Sequence, residues 1–259
     1  MKRARWISWL AAGAALAGCA GKAPLLVEPQ GGAASEGAPR IVLAPLNVGV
    51  ELPADLEDAV PIVEAALIRD LQSRGARVAV IYPPDAAALW RASIVAAGPK
   101  AQEAGDLRAV AAAFARTLSE SETYDALLVP SLALRPAKVS GRTAQWDGVR
   151  RRITVRQEST GNPASPAADA PILSDEGVAL SREWQGRISG LSLHVLAVRP
   201  GLRRVLEHWG GLDLVHDAVS VEGSGTSRLR LQRDLLADPA NVSEGVALAL
   251  DPVWRSVAP

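Results

Sequence analysis

The sequence predicts an α/β fold of the α+β-like kind, with a mixed β-sheet of about five to six strands and helices packed on it. Three observations predict this fold. Short apolar runs with turn residues at both ends indicate buried strands. An apolar stripe at three- and four-residue spacing places a helix between the first two strands. Two later apolar runs flank a Pro-Gly turn, which predicts a C-terminal antiparallel hairpin.

The first three elements are predicted to form a β-α-β unit. Residues 40–46 are an apolar run typical of a buried strand. The following helix has Asp55 as its candidate N-cap and Gly75 as its C-terminal signal. Residues 77–82 form the second strand. A parallel pair joined by a helix is expected to have a right-handed crossover.

The middle of the chain is predicted to be mainly helical before it returns to the sheet. Residues 85–97 are rich in alanine, and Asp106 can cap a further helix. Residues 125–135 form a third strand that contains Pro130. Because proline cannot donate to a strand ladder, this strand is expected at an edge or with a bulge. Residues 143–157 are compatible with another strand.

The last third is predicted to contain a long loop, a hairpin and a closing helix. Residues 158–175 are rich in Pro, Ser, Gly and Ala, and predict a disordered-type insertion. Residues 188–198 and 204–219 form the two strands of the hairpin. A helix over residues 241–250 ends the domain, with Trp254 packing the chain end onto the sheet.

The N-terminus has the pattern of an export signal. Lys2, Arg3 and Arg5 make a basic segment before an apolar run over residues 6–16. This apolar run is too short to span a bilayer. Without the three basic residues the chain holds 25 Lys and Arg against 28 Asp and Glu, so it is slightly acidic. Such a charge balance predicts no nucleic-acid binding.

The stretch Leu-Ala-Gly-Cys at residues 16–19 resembles a bacterial lipobox. The resemblance implies a signal peptide over residues 1–18, cleavage between Gly18 and Cys19, and acylation of Cys19, palmitate included. Because Ala20 stands where inner-membrane lipoproteins usually carry Asp, we expect the outer membrane, with the protein facing the periplasm. An ordinary secretory signal before an unrelated cysteine is the alternative.

The resemblance also divides the mature chain. Residues 19–39 comprise the lipidated cysteine and a Gly-, Ala- and Pro-rich segment predicted to be a flexible tether. Residues 40–259 are predicted to form a single periplasmic domain. Three acyl chains, as the lipoprotein resemblance implies, would make the membrane anchor effectively permanent, because one chain alone binds only marginally.

The order of elements resembles a group of bacterial envelope lipoproteins with an anticodon-binding-like α/β domain. The residues that carry the likeness are 41–46, the helix ending at Gly75, and residues 77–82, 125–129 and 191–209. Members include the amino-terminal domain of TolB, the curli-secretion lipoprotein and the Pel-export lipoprotein. The resemblance implies a non-catalytic envelope protein that binds partners or self-assembles.

No catalytic residue, metal ligand or cofactor site is predicted. His194, His208 and His216 fall on the two predicted hairpin strands, without the close spacing of a metal-ligand set. Ser192 lacks the second glycine of a nucleophile elbow. We therefore expect ordinary strand histidines and no enzyme.

Three tryptophans are candidates for binding a partner. Trp146, Trp184 and Trp209 each lie close to a glycine and polar residues, a context typical of strand ends and turns. Exposed indoles can anchor a partner protein or stack on a sugar ring. The alternative is that they cover the rim of the core.

The sequence therefore predicts a membrane-anchored periplasmic lipoprotein that acts through protein contacts in cell-envelope biogenesis or export. Its expected partners are the bilayer, through acylated Cys19, and an envelope protein or a second copy of the chain. Two alternatives stay open: a ring-forming accessory lipoprotein of polysaccharide or fibre secretion, and a glycan- or peptidoglycan-binding module.

Replacing Cys19 by Ser is predicted to release the protein from membranes, because serine does not accept the diacylglycerol group. The measurement is fractionation of cells after detergent-free washing, with the intact mass of the native protein as a second readout. A Cys19→Ser protein that stays in the membrane fraction, or a native protein without added acyl mass, would refute lipid anchoring at this residue.

Overall fold

The computed structural model describes residues 25–29, 37–53, 56–158, 188–201, 204–221, 227–232 and 234–257. Within them the strands are β1 (Leu26–Val27), β2 (Arg40–Leu43), β3 (Arg77–Ile81), β4 (Ala126–Pro136), β5 (Lys138–Ser140), β6 (Thr143–Trp146), β7 (Val149–Arg152), β8 (Val155–Glu158), β9 (Ser189–Val198), β10 (Val205–Leu214), β11 (His216–Val221) and β12 (Ser227–Leu231). The helices are α1 (Ala59–Ser73), α2 (Pro83–Ala97), α3 (Pro99–Glu103), α4 (Leu107–Ser119) and α5 (Pro239–Val257).

Several sequence predictions fall outside the described residues. These are the signal peptide over residues 1–18, Cys19, residues 159–175 of the predicted loop, and Trp184. Among the helices that are described, none combines the length and the apolar character needed to cross a membrane.

A six-stranded mixed sheet organises the domain, in the order β1-β3-β2-β4-β9-β10. Strand β2 pairs in parallel with β3 on one side and with β4 on the other. Strand β4 then pairs antiparallel with β9, and β9 with β10. The predicted α/β fold with a mixed sheet, a β-α-β start and a late antiparallel hairpin is therefore confirmed.

Helices cover both faces of this sheet. Helices α1 and α5 pack on one face, where Leu67 and Val246 join the apolar cluster of Ile41. Helices α2 and α4 pack on the other face, in the cluster of Val42 and Phe114. Neighbouring residues of a strand face opposite ways, so Ile41 and Leu43 face one pair of helices and Val42 faces the other. Because β2 is buried on both faces, all three residues must be apolar.

Two predicted helix ends are confirmed by their geometry. Gly75 has φ +87°, and its N–H donates to Gln72 O just after α1. That left-handed conformation is the one glycine adopts without strain. Asp106 caps α4, with its side chain accepting the N–H groups of Arg108 and Ala109. Helix α1 begins at Ala59 after Asp58, while the expected cap Asp55 lies outside the described residues.

The expectation that Pro130 puts its strand at an edge is wrong, because β4 lies between β2 and β9. The Pro130 carbonyl accepts the N–H of Asn47, so Pro130 turns its backbone polar groups toward the β2 side. Strand β2 has already ended at Leu43. The missing N–H therefore costs no ladder bond, which is why proline is tolerated here.

Asn47 continues the edge of β4 where β2 stops. Its Oδ1 accepts the N–H of Leu132 at 2.8 Å, while its backbone N–H donates to Pro130 O at 3.1 Å. It adopts φ +59°, a conformation that asparagine tolerates better than most residues. Asn47 alone thus supplies, through its side chain and its backbone, hydrogen bonds that a continued β2 would have made to β4.

The second predicted hairpin strand, residues 204–219, is split in two. Strand β10 ends at Leu214 after a register shift between Gly211 and Asp213. Strand β11 then pairs antiparallel with β12 and parallel with β8 in a separate sheet. A bulge bends a strand and increases its twist, so the chain can leave the main sheet here.

The closing helix is longer than predicted. Helix α5 continues through Pro252 to Val257, rather than ending at residue 250. Val253 and Val257 are buried against the sheet, and Arg199 donates a hydrogen bond to the carbonyl of Ser256. These tertiary contacts hold the last turn although Pro252 removes one backbone hydrogen bond.

Part of the predicted tether also belongs to the sheet. Strand β1 pairs antiparallel with the end of β3, and Tyr82 donates its N–H to Leu25 O. The side chains of Leu25 and Leu26 pack on the α2 and α4 side of the core. Leu25 and Leu26 therefore pack beside β3, although the composition of the surrounding residues predicted a flexible segment.

Glycines allow α5 and an indole ring to approach the sheet from opposite sides. A Cβ on Gly210 would overlap the carbonyl oxygen of Gly245 in α5, and a Cβ on Gly245 would overlap Gly211 O. On the other face, the Trp146 ring lies against Gly190 and Gly211 where their side chains would be. Close packing of helix, sheet and ring therefore depends on the lack of a side chain at four positions.

Gly245→Ala is predicted to destabilise the domain, although alanine is favoured over glycine by about 1 kcal/mol inside a helix. Overlap with the Gly211 carbonyl should reverse that gain and cost about 1–3 kcal/mol. Urea unfolding followed by circular dichroism, in a Cys19→Ser background, measures the change. The control is Ser243→Ala on the exposed side of α5, for which no loss is expected. An unchanged or higher midpoint for Gly245→Ala would contradict the packing described here.

Candidate functional site

The candidate site lies where the long strands extend beyond the rest of the sheet. Strands β2 and β3 have 4 and 5 residues, whereas β4 has 11 and both β9 and β10 have 10. On the face covered by α2 and α4, the register aligns Ser131, His194 and Trp209 across β4, β9 and β10. These three side chains, with Glu207, Arg135 and the neighbouring Arg108, are called the His194 cluster below.

A chain of hydrogen bonds runs through the His194 cluster from the core to the surface. The Ser131 hydroxyl lies 3.3 Å from His194 Nδ1, and His194 Nε2 lies 3.0 Å from Glu207 Oε1. The other carboxylate oxygen of Glu207 accepts hydrogen bonds from the Arg108 guanidinium. Ser131 and His194 are buried, whereas the Arg108 side chain is 64% exposed.

Burial favours the neutral form of the His194 ring at neutral pH. It lowers the pKa of His194 below the ordinary value of 6.5, although the Glu207 carboxylate acts in the opposite direction. The charges of Arg108 and Arg135 lower that pKa further. The neutral ring then donates Nε2–H to Glu207 and accepts the Ser131 hydroxyl at Nδ1, so both nitrogens are satisfied.

Glu207 is held in its charged form. Burial alone would raise the pKa of Glu207, but the hydrogen bond from Arg108 and the neighbouring His194 outweigh it and lower that pKa. The carboxylate is therefore a fixed negative charge whose bonds to Arg108 and His194 are already made. Because Arg108 is largely exposed, solvent screens this ion pair, and its main effect is to position Glu207.

Trp209 is held between its neighbours. Its ring stacks on His194 with centroids 4.0 Å apart and an interplanar angle of 17°, and the Arg135 guanidinium carbon lies 4.6 Å from the ring centroid. Asp147 fixes Arg135 at 3.3 Å and also accepts the Ser192 hydroxyl at 2.7 Å. The indole surface is thus engaged within the protein, which argues against sugar stacking at this residue.

The three predicted tryptophans do not form one surface. Trp146 is only 5% exposed, and its Nε1–H donates to Leu191 O at 3.4 Å. It packs with Val149 and Ile188 under the small sheet of β5, β6 and β7, so it lies in the core rather than on the surface expected of a partner-binding side chain. Trp209 is half-buried, and Trp184 lies outside the described residues.

The three histidines also lie apart. His194 and Trp209 share one face of the hairpin, so His208, next to Trp209, points to the opposite face. His216 belongs to the separate sheet of β11. Over the described ranges, no group of three or more His, Cys, Asp and Glu side chains is placed to hold a metal ion.

A second polar region braces the small sheet against α5. Buried Arg151 donates to the carbonyls of Leu212 and Asn241 and pairs with Glu244 at 2.6 Å. Nearby, the Asp213 carboxylate accepts the N–H groups of Leu214 and Leu236. Burial raises the pKa of Asp213 despite these bonds. These contacts join β7, β10 and the start of α5, so we assign this region a structural role.

A shallow cleft of about 430 Å³ lies beside the His194 cluster. It separates the start of α4 from β9 and β10, and its lining includes Gly105, Leu107, Arg108, His194, Leu196 and Glu207. Ser131 is not among the lining residues. The charged groups of this cleft are Asp106, which caps α4, and the paired Arg108 and Glu207.

Sequence reasoning missed most of the cluster. Ser131 lies inside an apolar run, and it meets His194 only across 63 positions of sequence. The sequence signal that could have identified Ser131 is its position in Val129-Pro-Ser-Leu132, where a small polar residue interrupts the apolar run of a buried strand. Ser192, the serine that the sequence singled out, contacts Asp147 instead of a histidine.

Compared with known proteins, the chain matches no family model, no curated protein and no solved structure.

His194→Gln is predicted to weaken the pH dependence of stability in the acidic range. Because the folded pKa of His194 is lowered from 6.5, the unfolded chain takes up a proton first as the pH falls below about 6.5. The free energy of unfolding should therefore decrease with falling pH in the wild type, and decrease less in the variant. Urea titrations at several pH values between about 7 and 5 measure both slopes.

His208→Gln is the matched control for this measurement. Burial and Arg255 also lower the pKa of His208, although Glu207 acts in the opposite direction, and His208 lies on the other face of the sheet from His194. Each variant should remove its own part of the decrease in the free energy of unfolding as the pH falls. An unchanged slope for His194→Gln would show that His194 does not remain neutral in the folded protein.

Proposed function

We propose that this protein is a lipid-anchored envelope protein that acts without catalysis, by binding another protein at the periplasmic face of the outer membrane. The lipobox-like residues 16–19 and the basic and apolar segments before them support the anchoring part. The arrangement of the two edges of the main sheet supports the binding part.

The two edges of the sheet lie at opposite ends of one rigid unit. Strand β1 forms one edge and β10 the other, with four strands between them. At about 4.8 Å per strand spacing, the two edges are roughly 24 Å apart. The proposal depends on this separation: β1, the edge nearest Cys19 in sequence, lies far from β10, the edge proposed to bind a partner.

The anchor holds β1 close to the bilayer. Cys19 and Leu25 are six residues apart, and a fully extended chain spans about 3.3–3.6 Å per residue. The acylated residue is therefore within about 20 Å of β1, whatever path the intervening residues take. The β1 edge is then on the membrane side, and the β10 edge is available to a partner in the periplasm.

The chemistry of the His194 cluster supports binding rather than bond-making. A serine, a histidine and a carboxylate in series resemble the order found in hydrolases. A nucleophile must reach its substrate, however, and Ser131 is 8% exposed and does not line the cleft. The hydrogen-bond chain instead fixes the side chains of three strands, as a preformed protein-binding surface requires.

Site-specific photo-crosslinking in cells tests the proposed function. A photoreactive residue in place of Arg204, just before β10, is expected to give one discrete adduct with an envelope protein. The same residue in place of Val95, which is 79% exposed on α2, is the control and should give none. Adding Cys19→Ser should reduce the adduct, because the local concentration at the membrane is lost.

Two results would contradict the proposal. Equal adducts from residues 95 and 204, or none from either, would argue against a specific protein partner. Labelling by a fluorophosphonate probe that is lost in Ser131→Ala would argue for a reactive serine and against a non-catalytic role.

A further inference from the structure

The backbone of β10 directs part of its N–H and C=O groups away from the sheet. Gly211 donates its N–H to Asp147 O, on the side away from β9. Because backbone direction alternates along a strand, Val205, Glu207 and Trp209 direct their N–H and C=O groups to the same outer side. The three residues thus present a row of donors and acceptors at the edge of the sheet.

Within the described part of the chain, one half of this edge is covered and the other is not. The turn between β6 and β7 caps the end of β10 through Asp147, and residues 210–214 are buried. Residues 205–209 are half-buried, and no strand in the described part of the chain pairs with their outer side. Five residues is an ordinary strand length, long enough for one more strand to be added.

Arginines lie around residues 205–209 of this edge. Arg204 is exposed just before β10, Arg108 of α4 pairs with Glu207, and Arg255 of α5 lies near enough to His208 to lower its pKa. Glu207 is the one carboxylate of residues 204–209, and its charge and that of Arg108 offset each other. Arg204 and, on the α5 side, Arg255 therefore give this edge a positive charge.

We infer that the open half of β10 binds an extended, acidic segment of a partner protein, which adds as a further strand to the main sheet. This inference rests on the proposed function and names how the partner is recognised. Backbone hydrogen bonds to residues 205, 207 and 209 supply the pairing. Acidic side chains on the added strand face the α5 side, where Arg255 lies, with Arg204 at the end of the edge. The alternate side chains lie over the cleft beside Leu107 and Leu196.

A second copy of the chain fits this edge less well. The same edge of a second copy offers no free carboxylate to Arg204 and Arg255, because Glu207, the one carboxylate of residues 204–209, is already paired with Arg108. An acidic strand from another protein supplies such carboxylates and satisfies the same backbone groups.

A designed peptide tests the inference with the full acylated protein in lipid nanodiscs. The probe is a fluorescent seven-residue peptide of alternating Val and Glu, compared with its Lys counterpart and with a version N-methylated at alternate residues. The acidic peptide should bind roughly tenfold or more tightly than either control, and its affinity should fall as salt is raised. N-methylation preserves the charge but removes the backbone donors that strand pairing needs.

Two variants of the edge should weaken binding roughly tenfold or more. Val205→Pro removes an outward N–H at the first residue of the strand, where proline is tolerated and the ladder to β9 is untouched. Arg204→Glu reverses one rim charge. The matched control is Arg91→Glu, a charge reversal at an exposed position of α2, which should bind like the wild type.

Several outcomes would overturn the inference. These are a Kd weaker than about 1 mM for the acidic peptide, equal binding of the N-methylated or Lys peptide, and unchanged binding to Val205→Pro. A dimer in sedimentation that Val205→Pro dissociates would assign the edge to a second copy. If peptide binding fails while residue 204 still crosslinks to an envelope protein, the proposed function stands and only the mode of recognition is wrong.

Discussion

The difference in length between the strands is the constraint on which the rest of this structure depends. The parallel strands β2 and β3 are half as long as β4, β9 and β10, so the antiparallel half of the sheet extends past the parallel half. Every extra residue of β4 needs hydrogen-bond partners that β2 does not supply. Asn47 supplies partners for Pro130 and Leu132. Because Pro130 has no N–H, one donor fewer on that side of β4 needs a partner.

On the face of α2 and α4, side chains from the sheet itself help to cover the extended strands, together with Arg108 of α4. Trp209 stacks on His194, Arg135 packs on the same ring, and Trp146 fills the space over Gly190 and Gly211. Buried polar groups at this position are tolerated because each one has a hydrogen-bond partner within the His194 cluster.

Function follows from this arrangement in our proposal. A sheet with helices on both faces is rigid, and its two edges are the places where another backbone can add. One edge holds β1, close in sequence to Cys19, and the other is β10, where no described strand pairs with the outer side of residues 205–209. The serine and histidine that resemble catalytic groups are better explained as positioning groups, because their hydrogen bonds hold three neighbouring strands in register.

The sequence by itself determined the elements whose causes are local: the apolar run of β2, the α1 end at Gly75, the α4 cap at Asp106 and the β-α-β start. Preferences of this kind act within a few residues, so they can be read without the fold. The tertiary structure alone decided the side to which Pro130 turns its missing N–H, the burial of Trp146, and the meeting of Ser131 with His194 across 63 positions. Each of these depends on strand register, which is set by the packing of both sheet faces together.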